Sequence, residues 1–441
     1  MKNTRRIVLK ALLRVDQNGA YSNLVLDEAL SDPELDGRDK AFISNIFYGV
    51  LERRITLDYI IRSFSSVRLK KIEPTVLEIL RLSVYQLVFM DKVPDSAAVN
   101  EAVTLCKKEK LYRSSGFVNG VLRSITRAEN RFPLPDESDA VKYLSVKYSC
   151  PEDIVSLWLE DYGRDVTEGT LSALAGRPPI FVRVNTIRTT EEKLIEKLKL
   201  EGICAEKTKL KNALEIKLTG SVTSLESYAQ GLFHVQDLSS QVCCELLGVC
   251  DGDTVSDVCA APGGKAFTAA QCTPLGRVYS YDIYDHKIKL IEASLRRLGI
   301  TNVSARIRDA AGDTPLETSD KIICDVPCSG LGVLRRKPEI RYKSDTGAET
   351  LPELQLKILE NSAKFLRPGG TLIYSTCTLN RKENNINAAL FLERNKDFEP
   401  LELALPDGVM RTINEAENCL TLFPQTNGTD GFFVAVFRKK A

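Results

Sequence analysis

The pattern of apolar and polar positions changes twice along the chain. Up to about residue 130, apolar residues recur every three or four positions. They do so in "RRIVLKALLRV" (5–15), "KAFISNIFYGVLERRITLDYIIRSF" (40–64), "PTVLEILRLSVYQLVFM" (74–90) and "SGFVNGVLRSITRA" (115–128). This is the period of amphipathic helices. Pro74 stands at the start of one run, where a missing N–H costs least. Pro94 and "RFPLPDES" interrupt the pattern, and the latter marks a boundary. An all-helical domain is expected over 1–132.

A mixed stretch follows, expected to form a connector over 133–230. "VKYLSVKYSCPEDIVSLWLEDYG" (141–163) reads as helical and "PIFVRVNTI" (179–187) alternates as a strand does. "TEEKLIEKLKLEGI" reads as a helix opened by Thr190 and closed near Gly202, and "ALEIKLTG" as a second strand. This β-α-β unit is too small to stand alone and should pack on what comes next.

From 231 to 441, short apolar strands alternate with helices. The strands are "TVSDVCA", "GRVYSYDI", "VSARIRD", "DKIICDVP", "GTLIYSTC" and "GFFVAVFRK". Between them lie "GGKAFTAAQC", "HKIKLIEASLRRLG", "LPELQLKILENSAKFLRPGG" and "NRKENNINAALFLERN". Such alternation predicts an α/β domain with a doubly wound, mostly parallel sheet.

Composition narrows the picture only a little. With 43% hydrophobic and 27% charged residues and a formal net charge of +1, the 441 residues fit a soluble globular protein of several domains. Lys and Arg modestly outnumber Asp and Glu in the first 130 residues, a mild lean towards a polyanion. No signal peptide or membrane-spanning run is apparent, so a cytoplasmic location is expected and the twelve cysteines should be reduced thiols. Without a CxxC pair, and with only His234 and His286 available, no metal site is expected.

In open α/β sheets ligands bind beyond the carboxyl ends of the strands. The first strand there leads into "DVCAAPGGK" (257–265), where Gly263 and Gly264 allow close approach to the backbone and open a helix. Asp282 ends the second strand, eighteen residues after Gly264, and suits two ribose hydroxyls; Asp309 ends the third and suits an adenine amino group. Three such positions fit a nucleoside. A dinucleotide fits poorly, because GxGxxG is absent and Pro262 occupies the turn. Two thiols share this edge, Cys328 in "DVPCSG" and Cys377 in "YSTCT". Thiols in turns beside a ligand edge suggest covalent chemistry, whereas Cys324, Cys243, Cys244 and Cys250 read as packing residues.

"DVCAAPGGK", "DVPCSGLG" and "YSTCT" resemble the motifs of RNA cytosine-C5 methyltransferases, supported by "FHVQDLSSQ" and "GTDGFFVAVF". The amino-terminal "RDKAFISNIFYGVLERRITLD" and "GFVNGVLR" resemble the NusB-like RNA-binding domain, a combination characteristic of the RsmB/Sun family. Thr378 and Val326 depart from its commonest residues without affecting the chemistry. The resemblance implies a class I S-adenosyl-L-methionine-dependent, Rossmann-like methyltransferase that forms 5-methylcytosine in 16S ribosomal RNA of the small subunit. It implies Cys377 as the nucleophile at cytosine C6, Cys328 as the residue that breaks the adduct, and Asp325 as a partner of the base edge. The cofactor would lie against Cys259, Ala260, Ala261, Pro262, Gly263, Gly264, Lys265, Asp282, Asp309 and Asp325. The run "RRKPEIRYK" (335–343) reads either as a contact for RNA phosphates, with Tyr342 stacking on a base, or as a solvated loop. Nothing demands more than a monomer. The alternatives are a tRNA or DNA C5 methyltransferase and a non-catalytic RNA-binding protein on the same scaffold.

Overall fold

The computed structural model describes residues 3–18, 22–218, 220–312, 315–342 and 349–441, and it divides into two compact units. The first holds residues 1–175 together with 334–344; the second holds 176–333 and 345–441. The connector expected over 133–230 is thus divided at residue 175, with the helices Ala140–Tyr148 and Glu152–Ala173 in the first unit and the β-rich part, including the helix Glu191–Leu200, in the second.

The described residues of the first unit form helices and their connections. Its central helix, Pro74–Phe89, buries Val76, Ile79, Leu80, Leu82, Val84 and Leu87. Glu73 caps it by accepting from the Thr75 and Val76 amides, with Pro74 at the first turn. The helix Gly37–Glu52 packs closely on it: a Cβ at Gly49 would lie 2.0 Å from the Tyr85 ring. The apolar run 40–64 is two helices rather than one, because the backbone leaves helical geometry at Arg53, whose guanidinium lies over the Phe89 ring. No Gly or Pro marks that break. The helix Asp95–Lys108 escaped the apolar pattern because alanine supplies much of its buried face, through Ala98 and Ala102.

The run 335–342 belongs to this unit, and the expected role is corrected for two of its residues, Arg341 and Tyr342. Arg341 donates to the carbonyls of Glu52 (2.9 Å) and Ser149 (3.1 Å). Tyr342 donates its hydroxyl to the Leu51 carbonyl (2.8 Å) while Arg54 covers its ring. Neither side chain is free for RNA, since both serve as internal ties; Lys343 lies outside the described residues.

In the second unit, strands β1 (Ile180–Val184), β2 (Cys204–Lys207), β3 (Ala213–Lys217) and β4 (Phe233–Val235) form an antiparallel sheet in the order β2-β3-β1-β4. Asn185, just past β1, donates to the carbonyls of Gly231 and Leu298 and so ties this sheet to the end of the helix Asp285–Leu298. The larger sheet contains β5 (Thr254–Asp257), β6 (Arg277–Asp282), β7 (Val303–Ile307), β8 (Ser319–Asp325), β9 (Leu366–Thr376), β10 (Phe398–Pro400), β11 (Cys419–Leu422) and β12 (Phe432–Lys439). Its order is β10-β12-β9-β8-β5-β6-β7, with β11 paired to β12. Strands β5 to β9 are parallel and β10, β11 and β12 antiparallel, so the expected doubly wound, mostly parallel sheet is present. Among the described residues no helix is long and apolar enough to cross a membrane, and no metal-type cluster of three His, Cys, Asp or Glu gathers.

Arg81 forks onto Asp58 (2.7 Å for each bond) and pairs with Glu78, which is 3% exposed. Replacing Arg81 by leucine would strand Glu78 without its partner, at a cost of about 3–5 kcal/mol. Urea unfolding of the full chain should show that loss, and an Arg81→Leu/Glu78→Leu double variant should recover most of it; a loss under about 1 kcal/mol would contradict the assignment.

Candidate active site

Because β5, β6, β7, β8 and β9 run parallel, their carboxyl ends share one edge. At the end of β5 the chain turns through Cys259, Ala260, Ala261 and Pro262. The Ala260 amide donates to the Tyr281 carbonyl (2.8 Å) and the Gly263 amide to the Ala260 carbonyl (2.7 Å). Gly263 has φ +108°, and a Cβ there would lie 2.3 Å from the Phe267 ring, so only glycine serves. Gly264 opens the helix Gly264–Cys272. Cys259 is half-buried and burial pushes its thiol well above the usual range, which fits a packing role in the turn.

Asp282 ends β6, 5% exposed, and accepts from the Tyr284 amide (3.2 Å) and from Lys287 Nζ (3.4 Å). Both contacts are long and leave lone pairs unused. Asp309, beyond β7, is exposed and accepts from the Ala311 amide (2.9 Å). This edge therefore fits the nucleoside half of a cofactor, with a glycine cradle and two carboxylates that retain acceptor capacity.

Asp325 ends β8. Its Oδ2 accepts from Lys265 Nζ (2.6 Å) and its Oδ1 from Ser375 Oγ (2.8 Å). Lys265 is 7% exposed and its ammonium lies over the Phe432 ring. Burial alone would lower its pKa, but the charge and hydrogen bond of Asp325 outweigh burial and raise it, so Lys265 is a cation.

The two turn thiols meet. Cys328 Sγ lies 3.1 Å from Cys377 Sγ, and both residues are half-buried. The hydrogen bond with Cys377, burial and the negative charge of Glu383 push Cys328 well above the usual thiol range. The backbone around them is locked: the Gly332 amide donates to the Cys377 carbonyl (3.0 Å) and the Gly431 amide to the Gly332 carbonyl (2.9 Å). A Cβ at Gly332 would lie 1.9 Å from Gly431 O, which explains the glycines of "SGLG" and "TDGFF".

Two acidic residues at this edge escaped sequence reasoning. Glu383 is fully buried and gathers the loops after β8 and β9. Asp257, at the end of β5, is 1% exposed and its Oδ1 has no partner. Burial raises its pKa to about 7, with nearby Lys265 opposing and Asp325 adding. The only sequence signal for Asp257 was its place at the head of "DVCAAPGGK".

An acid whose folded pKa lies above its unfolded value keeps its proton longer in the native state. Asp257 therefore costs nothing at low pH, and its destabilisation grows between pH about 4 and about 7. Asp257→Asn should gain melting temperature over the parent by several degrees more at pH 8 than at pH 5, at roughly 2–4 °C per kcal/mol. An equal difference at both pH values would contradict the buried-acid reading.

Comparison with known proteins agrees with this layout. Residues 244–438 match the family described as 16S rRNA methyltransferase RsmB/F, 2–127 the NusB family, and 150–223 the ferredoxin-like domain of RsmF/B-like methyltransferases. A probable ribosomal RNA small subunit methyltransferase B of Bacillus subtilis (strain 168) is 38% identical, and its counterpart from Synechocystis 32%, each alignment covering 100% of both chains. The crystal structure of PH0851 superimposes with a TM-score of 0.82 at 24% identity, covering 100% of this chain and 99% of that one. NSun6 from Pyrococcus horikoshii, solved with SFG, gives 0.60 at 23% identity over 66% of this chain and 98% of its own. These two structures share the fold. With full-length identity of 38% and a matching catalytic domain, the chain belongs to the RsmB/F family of ribosomal RNA small subunit methyltransferases.

Proposed function

We propose that this methyltransferase forms 5-methylcytosine in 16S ribosomal RNA, acting as a cytoplasmic monomer, with Cys377 as nucleophile and Cys328 as the releasing group. The observation that carries the reading is the 3.1 Å approach of two thiols from neighbouring strand ends, beside a buried Lys265–Asp325 pair.

Cytosine C5 is a poor nucleophile. When the Cys377 thiolate adds to C6, the C5=C6 electron pair is released towards N3 and C5 becomes enamine-like, able to accept a methyl group. The 259–265 turn, Asp282 and Asp309 would hold S-adenosyl-L-methionine, which would supply that methyl as a sulfonium electrophile. Asp325 keeps unused lone pairs beyond those taken by Lys265 and Ser375, enough to accept from the amino group and from a protonated N3. Loss of the C5 proton, taken up by the Cys328 sulfur as it gives its own proton to Cys377, then restores C5=C6, and the C6–S bond breaks with its electron pair returning to Cys377. Cys328 belongs to this last stage: held protonated, it is a poor competing nucleophile, and its proton lies where the departing thiolate needs one. The target base has to leave its stack to reach such an edge.

Cys377→Ala should abolish methyl transfer to 16S RNA while leaving S-adenosyl-L-methionine affinity unchanged by calorimetry. Cys328→Ala should accumulate a protein–RNA species stable on a denaturing gel. Normal turnover by Cys328→Ala, or an adduct that survives loss of Cys377, would overturn the roles. Asp282→Ala should weaken cofactor binding at least about tenfold, since it removes a charged acceptor worth about 1.5–3 kcal/mol; unchanged affinity would refute the ribose role.

A further inference from the structure

The two reactive loops are held by consecutive buried residues, one for each cysteine. Glu383, 0% exposed, accepts from four donors. Its Oε2 takes the Ser329 amide (2.9 Å) and Gln355 Nε2 (2.8 Å), and its Oε1 takes Ser329 Oγ (2.5 Å) and Asn380 Nδ2 (3.0 Å). Gln355 also donates to the Pro327 carbonyl (2.9 Å). Glu383 thus grips the chain on both sides of Cys328, directly at Ser329 and through Gln355 at Pro327.

Asn384, also 0% exposed, does the same for Cys377. Its Oδ1 accepts from Thr376 Oγ1 (2.6 Å) and its Nδ2 donates to the Thr378 carbonyl (2.9 Å), the residues before and after the nucleophile. The two grips are joined by a hydroxyl pair, Ser329 Oγ and Thr378 Oγ1 at 2.7 Å. Burial makes this geometry demanding: a carboxylate with four donors at two oxygens cannot be replaced by an amide without turning an N–H towards a donor.

Building on the covalent reading above, we propose that Glu383 and Asn384 are positioning residues with separate duties. Glu383 sets Cys328 for release of the product, and Asn384 sets Cys377 for attack on the base. Neither needs to touch the RNA. Displacing either thiol by about 1 Å is enough to cost on the order of a hundredfold in its own step. The division of labour predicts opposite effects on the covalent species.

The test compares full-length Glu383→Gln, Ser329→Ala and Asn384→Ala with Cys328→Ala, using 16S RNA and S-adenosyl-L-methionine. Adduct is followed on denaturing gels under single-turnover conditions, and melting temperatures are recorded. Glu383→Gln should form adduct within about threefold of the parent rate yet release it tenfold or more slowly. Ser329→Ala, which removes one hydroxyl and leaves the carboxylate, should do the same more weakly and decides the matter if Glu383→Gln fails to fold. Asn384→Ala should slow adduct formation without accumulation. If all three slow formation and release together, in proportion to lost stability, the positioning roles are wrong. If Cys328→Ala itself traps nothing, the covalent reading fails instead.

Discussion

The candidate site depends on the parallel pairing of β8 with β9, which brings Asp325 opposite Ser375 and carries both strands to the same edge. Cys377 lies two residues past that register point and Cys328 three, so adjacent turns deliver two thiols to one place. The Val326 amide extends the ladder onto the Ser375 carbonyl (3.1 Å), so the pairing continues beyond Asp325. A one-residue slip would turn every side chain of β9 to the opposite face of the sheet, and Ser375 would lose Asp325. The chemistry rests on register before it rests on any side chain.

Around that register the protein excludes space and satisfies polar groups at once. Gly332 and Gly431 bring backbone against backbone, which no larger residue permits. Glu383, Asn384, Gln355, Ser329 and Thr378 lie almost wholly out of solvent and bond chiefly to one another and to the loop carbonyls. A buried polar network of this kind is costly if any member is missing and rigid when complete. The two-thiol reaction proposed for this site would require such rigidity, because its attack and release would use sulfur atoms only 3.1 Å apart.

The fold was legible wherever apolar strands alternated with helices. Strands β5, β6, β8, β9 and β12 stood out as short apolar runs. The strands that went unread, β2, β4, β10 and β11, are three or four residues long, and β2 is mostly exposed with two charged residues among its four. The candidate site residues were legible for a related reason: Asp282 and Asp325 end their strands and Cys328 and Cys377 follow within three residues, where the strand-end rule points, while the separate roles came from the family resemblance. Glu383 was not, because "RKENN" has the composition of a solvated helix start, and only the closure of two loops over it creates its burial. Tyr342 misled in the opposite sense: a tyrosine in a basic run suggests stacking on a base, yet its hydroxyl and ring are committed to Leu51 and Arg54.

The central claim is that Cys377, and not Cys328, forms the bond to cytosine C6. RNA bearing 5-fluorocytidine tests it in the unaltered protein, because fluorine at C5 leaves no proton to lose and the adduct cannot eliminate. After incubation with cofactor, proteolysis and mass spectrometry should find the nucleotide on the peptide containing Cys377, with Cys328 unmodified. Nucleotide attached at Cys328, or no adduct while methylation of ordinary RNA proceeds, would contradict the account.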